Sequence, residues 1–205
     1  MNQMEDKSQV QQTEKETILS LPPREAVVQY GISAAQEILK NRGFLEDDVQ
    51  KYIQEYAPDR YGTPTEAALP SVMDKMASRA WSVVKSNQAE RDRIPETDDR
   101  SEEEKALRQS WDSFHELAII QDSLKAGKPD EAIAKITKAR DSSLEEVEQY
   151  AEKLPPLGSK EPQPFPFVGR LPLKDSFYDQ QEFALNGSSF LEAAYNYTVL
   201  NKALK

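Results

Sequence analysis

Residues 45–56 read Leu-Glu-Asp-Asp-Val-Gln-Lys-Tyr-Ile-Gln-Glu-Tyr, and this stretch decides the fold class. Its large apolar residues, Leu45, Val49, Tyr52, Ile53 and Tyr56, are separated by four, three, one and three positions. A 3.6-residue period gathers them into one stripe, whereas a strand would throw them to both faces. The stretch therefore predicts an amphipathic helix, and Pro58 ends it.

Working outward, the same period recurs. Pro22-Pro23 suits a first helical turn and Gly43 a C-terminal cap, so one helix is predicted between them, burying Val27, Tyr30, Ala34, Ile38 and Leu39. With the helix of residues 45–56 it forms a hairpin turning at Asn41-Arg42-Gly43. Downstream, Val72, Met73, Met76, Ala77, Ala80, Trp81 and Val84 signal a third helix with Pro70 in its first turn. Its methionine and tryptophan stripe reads as core.

Gln88 to Lys105 is rich in charge and poor in aliphatic side chains, which predicts an exposed linker at 88–101. Its acids lack the alternating ligands and central glycine of a calcium loop. Ser101 and Glu104 have capping-box spacing ahead of a helix carrying Leu107, Trp111, Phe114, Ala118 and Leu124, which stops near Gly127. Two further helices are expected on either side of Asp141-Ser142-Ser143, where a serine would cap the second. That second helix buries Leu144, Val147, Tyr150, Ala151 and Leu154, and Pro155-Pro156 ends it.

The expected architecture is all-α: a bundle of about six helices over residues 22–154, flanked by two arms. Residues 1–21 offer few large apolar side chains and are expected to be a flexible arm, with helix formation against a partner as the alternative. Residues 155–205 are expected to form an extended strap rich in proline and aromatic residues, including Pro164-Phe165-Pro166-Phe167, and ending in a helix over 189–204. Nearly half of all the aromatic residues fall here. They either pack on the chain's own bundle or dock on another protein; Phe165, Phe167, Leu171, Phe177, Tyr178, Phe183, Phe190 and Tyr197 are the candidate partner-binding residues.

Composition narrows the chemistry. A formal net charge of −10 and a pI near 4.8 disfavour nucleic acid and anionic membrane surfaces as ligands. With no cysteine, disulfides, thiolate catalysis and cysteine-held metals are excluded. The single histidine, His115, has no second imidazole to share a metal and sits on a regular helix beside Phe114 and Glu116. Neither a glycine-rich phosphate loop nor a nucleophile elbow occurs. No window is apolar for the roughly 20 residues of a membrane span, and no signal peptide is visible. Asn186-Gly187-Ser188 and Asn196-Tyr197-Thr198 fit the glycosylation pattern and read as accidental.

One local resemblance stands out. Residues 125–139, KAGKPDEAIAKITKA, resemble the turn and second helix of a tetratricopeptide repeat, with Gly127 at the turn and Ala132, Ile136 and Ala139 at its packing positions. Trp111 lies one residue from that pattern's tryptophan, and no second copy follows. The resemblance implies a peptide-binding adaptor, although stacked repeats need neighbours to bury their faces.

The expected function is thus a non-catalytic interaction or assembly protein, a soluble accessory or structural subunit of a larger complex or particle. It has no cofactor, metal or catalytic residue, and its partner is another protein or a second copy. The alternatives are the peptide-binding adaptor and a small-molecule carrier or enzyme with an apolar cavity lined by Met73, Met76, Trp81, Trp111 and Tyr150.

Overall fold

The computed structural model describes residues 2–96, 100–159 and 177–205, with side chains from Gln11 onward in the first helix and from Leu185 onward in the last. All regular elements among the described residues are helical. Residues cluster into two units, 1–58 with 139–198 and 59–138 with 199–205.

The first unit opens with α1 (Asn2–Ser20). The segment expected as an arm is therefore helical here. Its side chains from Gln11 to Thr17 are exposed; among its described side chains, buried Ile18 and a 3.6 Å ion pair between Lys15 and Glu37 tie it to the unit.

The helix predicted from Pro23 to Gly43 is broken in two: α2 (Pro23–Tyr30) and α3 (Ile32–Asn41) meet at Gly31. The glycine takes φ 59° and ψ −136°, a region closed to residues with a Cβ, so periodicity continues across a bend that periodicity cannot reveal. A Cβ at Gly31 would also lie 3.1 Å from both Cγ2 and Oγ1 of Thr198. Replacing Gly31 with alanine should cost about 1–2 kcal/mol, read as a lower midpoint in chemical denaturation with an unchanged slope.

The turn after α3 falls at Asn41-Arg42-Gly43 as expected, with Gly43 at φ 93°. Next comes α4 (Glu46–Lys51), whose Glu46 pairs with Lys40 at 2.6 Å; that hydrogen bond raises the Lys40 pKa and holds the Glu46 carboxyl below its ordinary value. The second half of the decisive stretch then departs from a regular helix. Tyr52 to Tyr56 wind as a π-turn, with the Ala57 N–H bonded to the Tyr52 carbonyl at 3.0 Å. This widened turn buries Tyr52, whose hydroxyl donates to Glu192 at 3.3 Å, and leaves Tyr56 exposed. Pro58 begins α5 (Pro58–Tyr61), a position where its missing N–H is no loss.

Two long helices, of which residues 139–151 and 177–198 belong to this unit, complete it. α8 (Asp130–Ala151) runs unbroken through Asp141-Ser142-Ser143, where two helices were expected. Ser143 is buried, and its hydroxyl bonds back to the Ala139 carbonyl at 3.0 Å, so its side chain is satisfied within the helix and caps nothing. Arg24 pairs with Glu148 at 2.6 Å. Beyond α8, the Arg42 guanidinium donates to the Pro155 carbonyl and the Gly158 N–H to the Asn41 carbonyl, each at 2.8 Å, fastening Pro155–Gly158 to the end of α3.

α9 (Phe177–Ala203) starts twelve residues before the predicted helix. From Asn186 to Tyr197 every side is covered: Phe190, Leu191, Ala193, Ala194, Tyr195 and Tyr197 are buried along with Asn186, Ser188 and Asn196. A helix covered all round is a core element. Gly187 lies inside it, and a Cβ there would stand 2.4 Å and 2.5 Å from two carbons of the Phe44 ring. Both asparagines of the glycosylation patterns are buried in the folded chain.

In the second unit, α6 (Leu69–Arg93) and α7 (Ser101–Lys125) pack along their lengths. Pro70 occupies the first turn of α6 as expected. Residues 88–93 of the predicted linker are helical, and the helix stops at Ile94, which precedes Pro95 and is extended. The predicted capping box does not form: Arg100 holds the cap position with no side-chain cap bond, and Ser101 is already helical. Gly127, at φ 78°, turns the chain from α7 into α8. Val72, Met73, Met76, Ala77, Val84, Leu117, Ile120, Ala132 and Ile136 are among this unit's buried residues, so Met73 and Met76 are core.

Candidate docking surface on the α6–α7 hairpin

The antiparallel register of α6 and α7 is fixed by pairs along the hairpin: Asp74 accepts a hydrogen bond from Gln121, the Trp81 ring meets Trp111 and Phe114, and Asn87 donates to the Ala106 carbonyl at 3.4 Å. Beside the buried stripe of α6, the positions Asp74, Ser78, Trp81 and Lys85 recur at four, three and four residues and so share a flanking face. Asp74, Ser78 and Lys85 are exposed, and Trp81 keeps 36% of its surface in contact with solvent.

Trp81, Trp111 and Phe114 form one cluster. Ring centroids are 5.5 Å apart for Trp81 and Trp111, 5.1 Å for Trp81 and Phe114, and 6.1 Å for Trp111 and Phe114. The two tryptophans meet edge to face, and His115 stacks on Trp111 at 5.5 Å. The Lys85 ammonium lies over the Trp81 ring, 5.4 Å from its centroid. Asp74, Ala77, Ser78 and Gln121 complete an open groove of ≈ 640 Å³. Its floor is aromatic and its ends are polar, a composition suited to holding an apolar surface between charged flanks.

A second groove, of ≈ 420 Å³, runs between α7 and α8, lined by Ile119, Ile120 and Ala134 with Glu116, Glu131, Lys135 and Lys138. Ile119 is 64% exposed, and the Lys135–Glu116 ion pair at 2.9 Å spans the two helices. Charge is divided unevenly as well. Lys and Arg stand against Asp and Glu at 11 to 20 in the first unit and at 15 to 16 in the second. The chain's acidity thus belongs to the first unit, and the aromatic hairpin sits in a nearly neutral one.

The sequence-predicted partner residues are placed differently. Phe190 and Tyr197, 0% and 6% exposed, are spent in the chain's own core. Phe177, Tyr178 and Phe183 belong to the first turns of α9, and their side chains are outside the described set; Phe165, Phe167 and Leu171 lie outside the described residues altogether. Of the residues suggested for an apolar cavity, Met73 and Met76 are buried, Trp81 and Trp111 line the open groove, and Tyr150 belongs to the first unit. Among the described residues no group of three or more metal-ligating side chains converges, and no helix is long and apolar enough to cross a membrane. Sequence reasoning assigned Trp81 to the core stripe and passed over Asp74, Lys85 and Phe114 as site residues. The available signal was the four-residue spacing of Trp81 and Lys85, which marks a tryptophan at the edge of the buried stripe. No known protein family, curated protein or solved structure matches this chain.

Proposed function

We propose that this chain is a non-catalytic interaction or assembly protein, an accessory or structural subunit that docks through the aromatic face of its α6–α7 hairpin. The observation that carries the reading is the exposed Trp81 packed with Trp111 and Phe114 in an open groove. Tryptophan is a preferred interface anchor, and a rim carrying Asp74 and Lys85 supplies orientation. The tail, expected from sequence to dock, commits Phe190 and Tyr197 to the core, whereas Trp81 on the hairpin stays exposed.

The test is cross-linking and affinity capture from the native source, comparing the full chain with a Trp81→Ala/Trp111→Ala variant. The expected result is a complex cross-linked through α6 and α7 and depleted at least about tenfold in the variant, with helical circular dichroism preserved in both. Equal recovery of the complex by both proteins would sink the reading. A small-molecule carrier is a second reading, favoured by a groove volume within the ligand-binding range. Native mass spectrometry of the purified chain decides it: a bound metabolite lost in the same variant supports the carrier.

A further inference from the structure

The hairpin face has an internal symmetry that points to its occupant, and we infer that the groove is closed by a second copy of this chain, packed face to face and antiparallel. The inference rests on the docking role given to this face above and names the partner. It starts from the α6 stripe. A two-fold axis passing between Arg79 and Ala80 sets Asp74 opposite Lys85 of the second copy, and Lys85 opposite its Asp74. The same axis sets Trp81 opposite Ser78, a large side chain against a small one.

α7 carries an independent set. An axis at His115 sets Arg108 opposite Asp122 of the second copy, and Trp111 opposite Ile119, apolar against apolar. Arg108, His115, Ile119 and Asp122 are exposed and Trp111 is half-buried. The two midpoints lie level with one another across the hairpin. The hairpin's own pairings, Asp74 with Gln121, Trp81 with Phe114 and Asn87 with Ala106, bring His115 level with the Arg79–Ala80 step. A single axis across both helices therefore satisfies four ion pairs, two large-to-small contacts and two apolar ones, the self-complementarity that an isologous interface requires.

Electrostatics favours this face over the rest of the molecule. Two copies approaching through the first unit would bring together units of 20 acidic and 11 basic residues each, whereas the second unit, at 16 and 15, is nearly neutral. Lys85, which lies over its own Trp81, would carry a positive charge to the centre of the shared aromatic layer, where Asp74 of the other copy balances it.

The experiment is sedimentation equilibrium of the full chain over a concentration series reaching high micromolar, with three variants at exposed positions. The wild type is expected to show reversible monomer–dimer behaviour. Asp74→Lys and Lys85→Asp each set like charges opposite one another and should weaken the dimer at least about tenfold. The double variant Asp74→Lys/Lys85→Asp restores both pairs with reversed polarity and should recover most of the affinity; general damage to the surface would not be repaired by a second charge change. Circular dichroism confirms that each variant is folded. A chain that stays monomeric throughout the series, a dimer indifferent to the single variants, or a double variant no better than the singles would overturn the inference. A monomeric chain that still captures a different protein through α6 and α7 also overturns it, while leaving the docking role intact.

Discussion

Phe190→Ala is expected to lower the stability of the folded chain by about 3–5 kcal/mol, in a protein whose total stability is on the order of 5–15 kcal/mol. Phe190 is completely buried on α9, between Ser189 and the equally buried Leu191, on a helix covered on every side from Asn186 to Tyr197. Removing the ring loses its transfer free energy and leaves a cavity that close-packed neighbours fill only in part. Urea denaturation followed by circular dichroism measures the effect. A loss below about 1 kcal/mol would show that α9 is peripheral, contrary to its burial. The same reasoning constrains deletion experiments. Removing residues 155–205 takes away a core helix, so failure of that truncated chain to bind anything would report unfolding.

The second large effect is expected at Gly187. In an exposed helix, exchanging glycine for a good helix former gains up to about 1 kcal/mol. Here the first atom added would stand 2.4 Å from a ring carbon of Phe44, which is itself buried and has no free direction to yield. Gly187→Leu should therefore destabilise by about 3 kcal/mol or more, with the overlap outweighing the gain in helix propensity, and Gly187→Ala should act in the same direction to a smaller extent. Thermal unfolding of the two variants, alone and combined with Phe44→Ala, tests the cause. If the clash is responsible, the combined Gly187→Leu/Phe44→Ala variant loses less than the sum of its parts. Strict additivity would place the damage elsewhere.

The all-helical class was legible because apolar spacing survives the fold: Leu45 to Tyr56 form helical turns, and Val72, Met73, Met76, Ala77 and Val84 bury most of the stripe predicted for α6. Breaks and continuations were less legible because they depend on single residues with two uses. Gly31 bends the chain with a backbone angle that leaves the apolar period untouched. Ser143 has the chemistry of a cap, but its hydroxyl bonds back to Ala139 inside a continuous helix. Asn186-Gly187 carries a turn signal, and tertiary packing against Phe44 overrides it. The proposed docking face was hidden for a related reason. Trp81 follows the period of the α6 core closely enough to be read as core, and only its neighbours on α7, which sequence alone does not bring near, show that it stands at the margin and faces water.

The burial of α9 also governs the order in which the molecule can be built. Its covered segment meets α2–α4 and the π-turn through Gly31 with Thr198, Phe44 with Gly187, and Tyr52 with Glu192, and the last pair is separated by 140 residues along the chain. Contacts of such long range raise the contact order and slow folding, because loop closure must precede the burial that rewards it. On the ribosome, Gly31, Phe44 and Tyr52 emerge long before the helix that meets them. The first unit thus passes through a period as an open nascent chain, when chaperones and aggregation compete for surfaces that the finished protein hides.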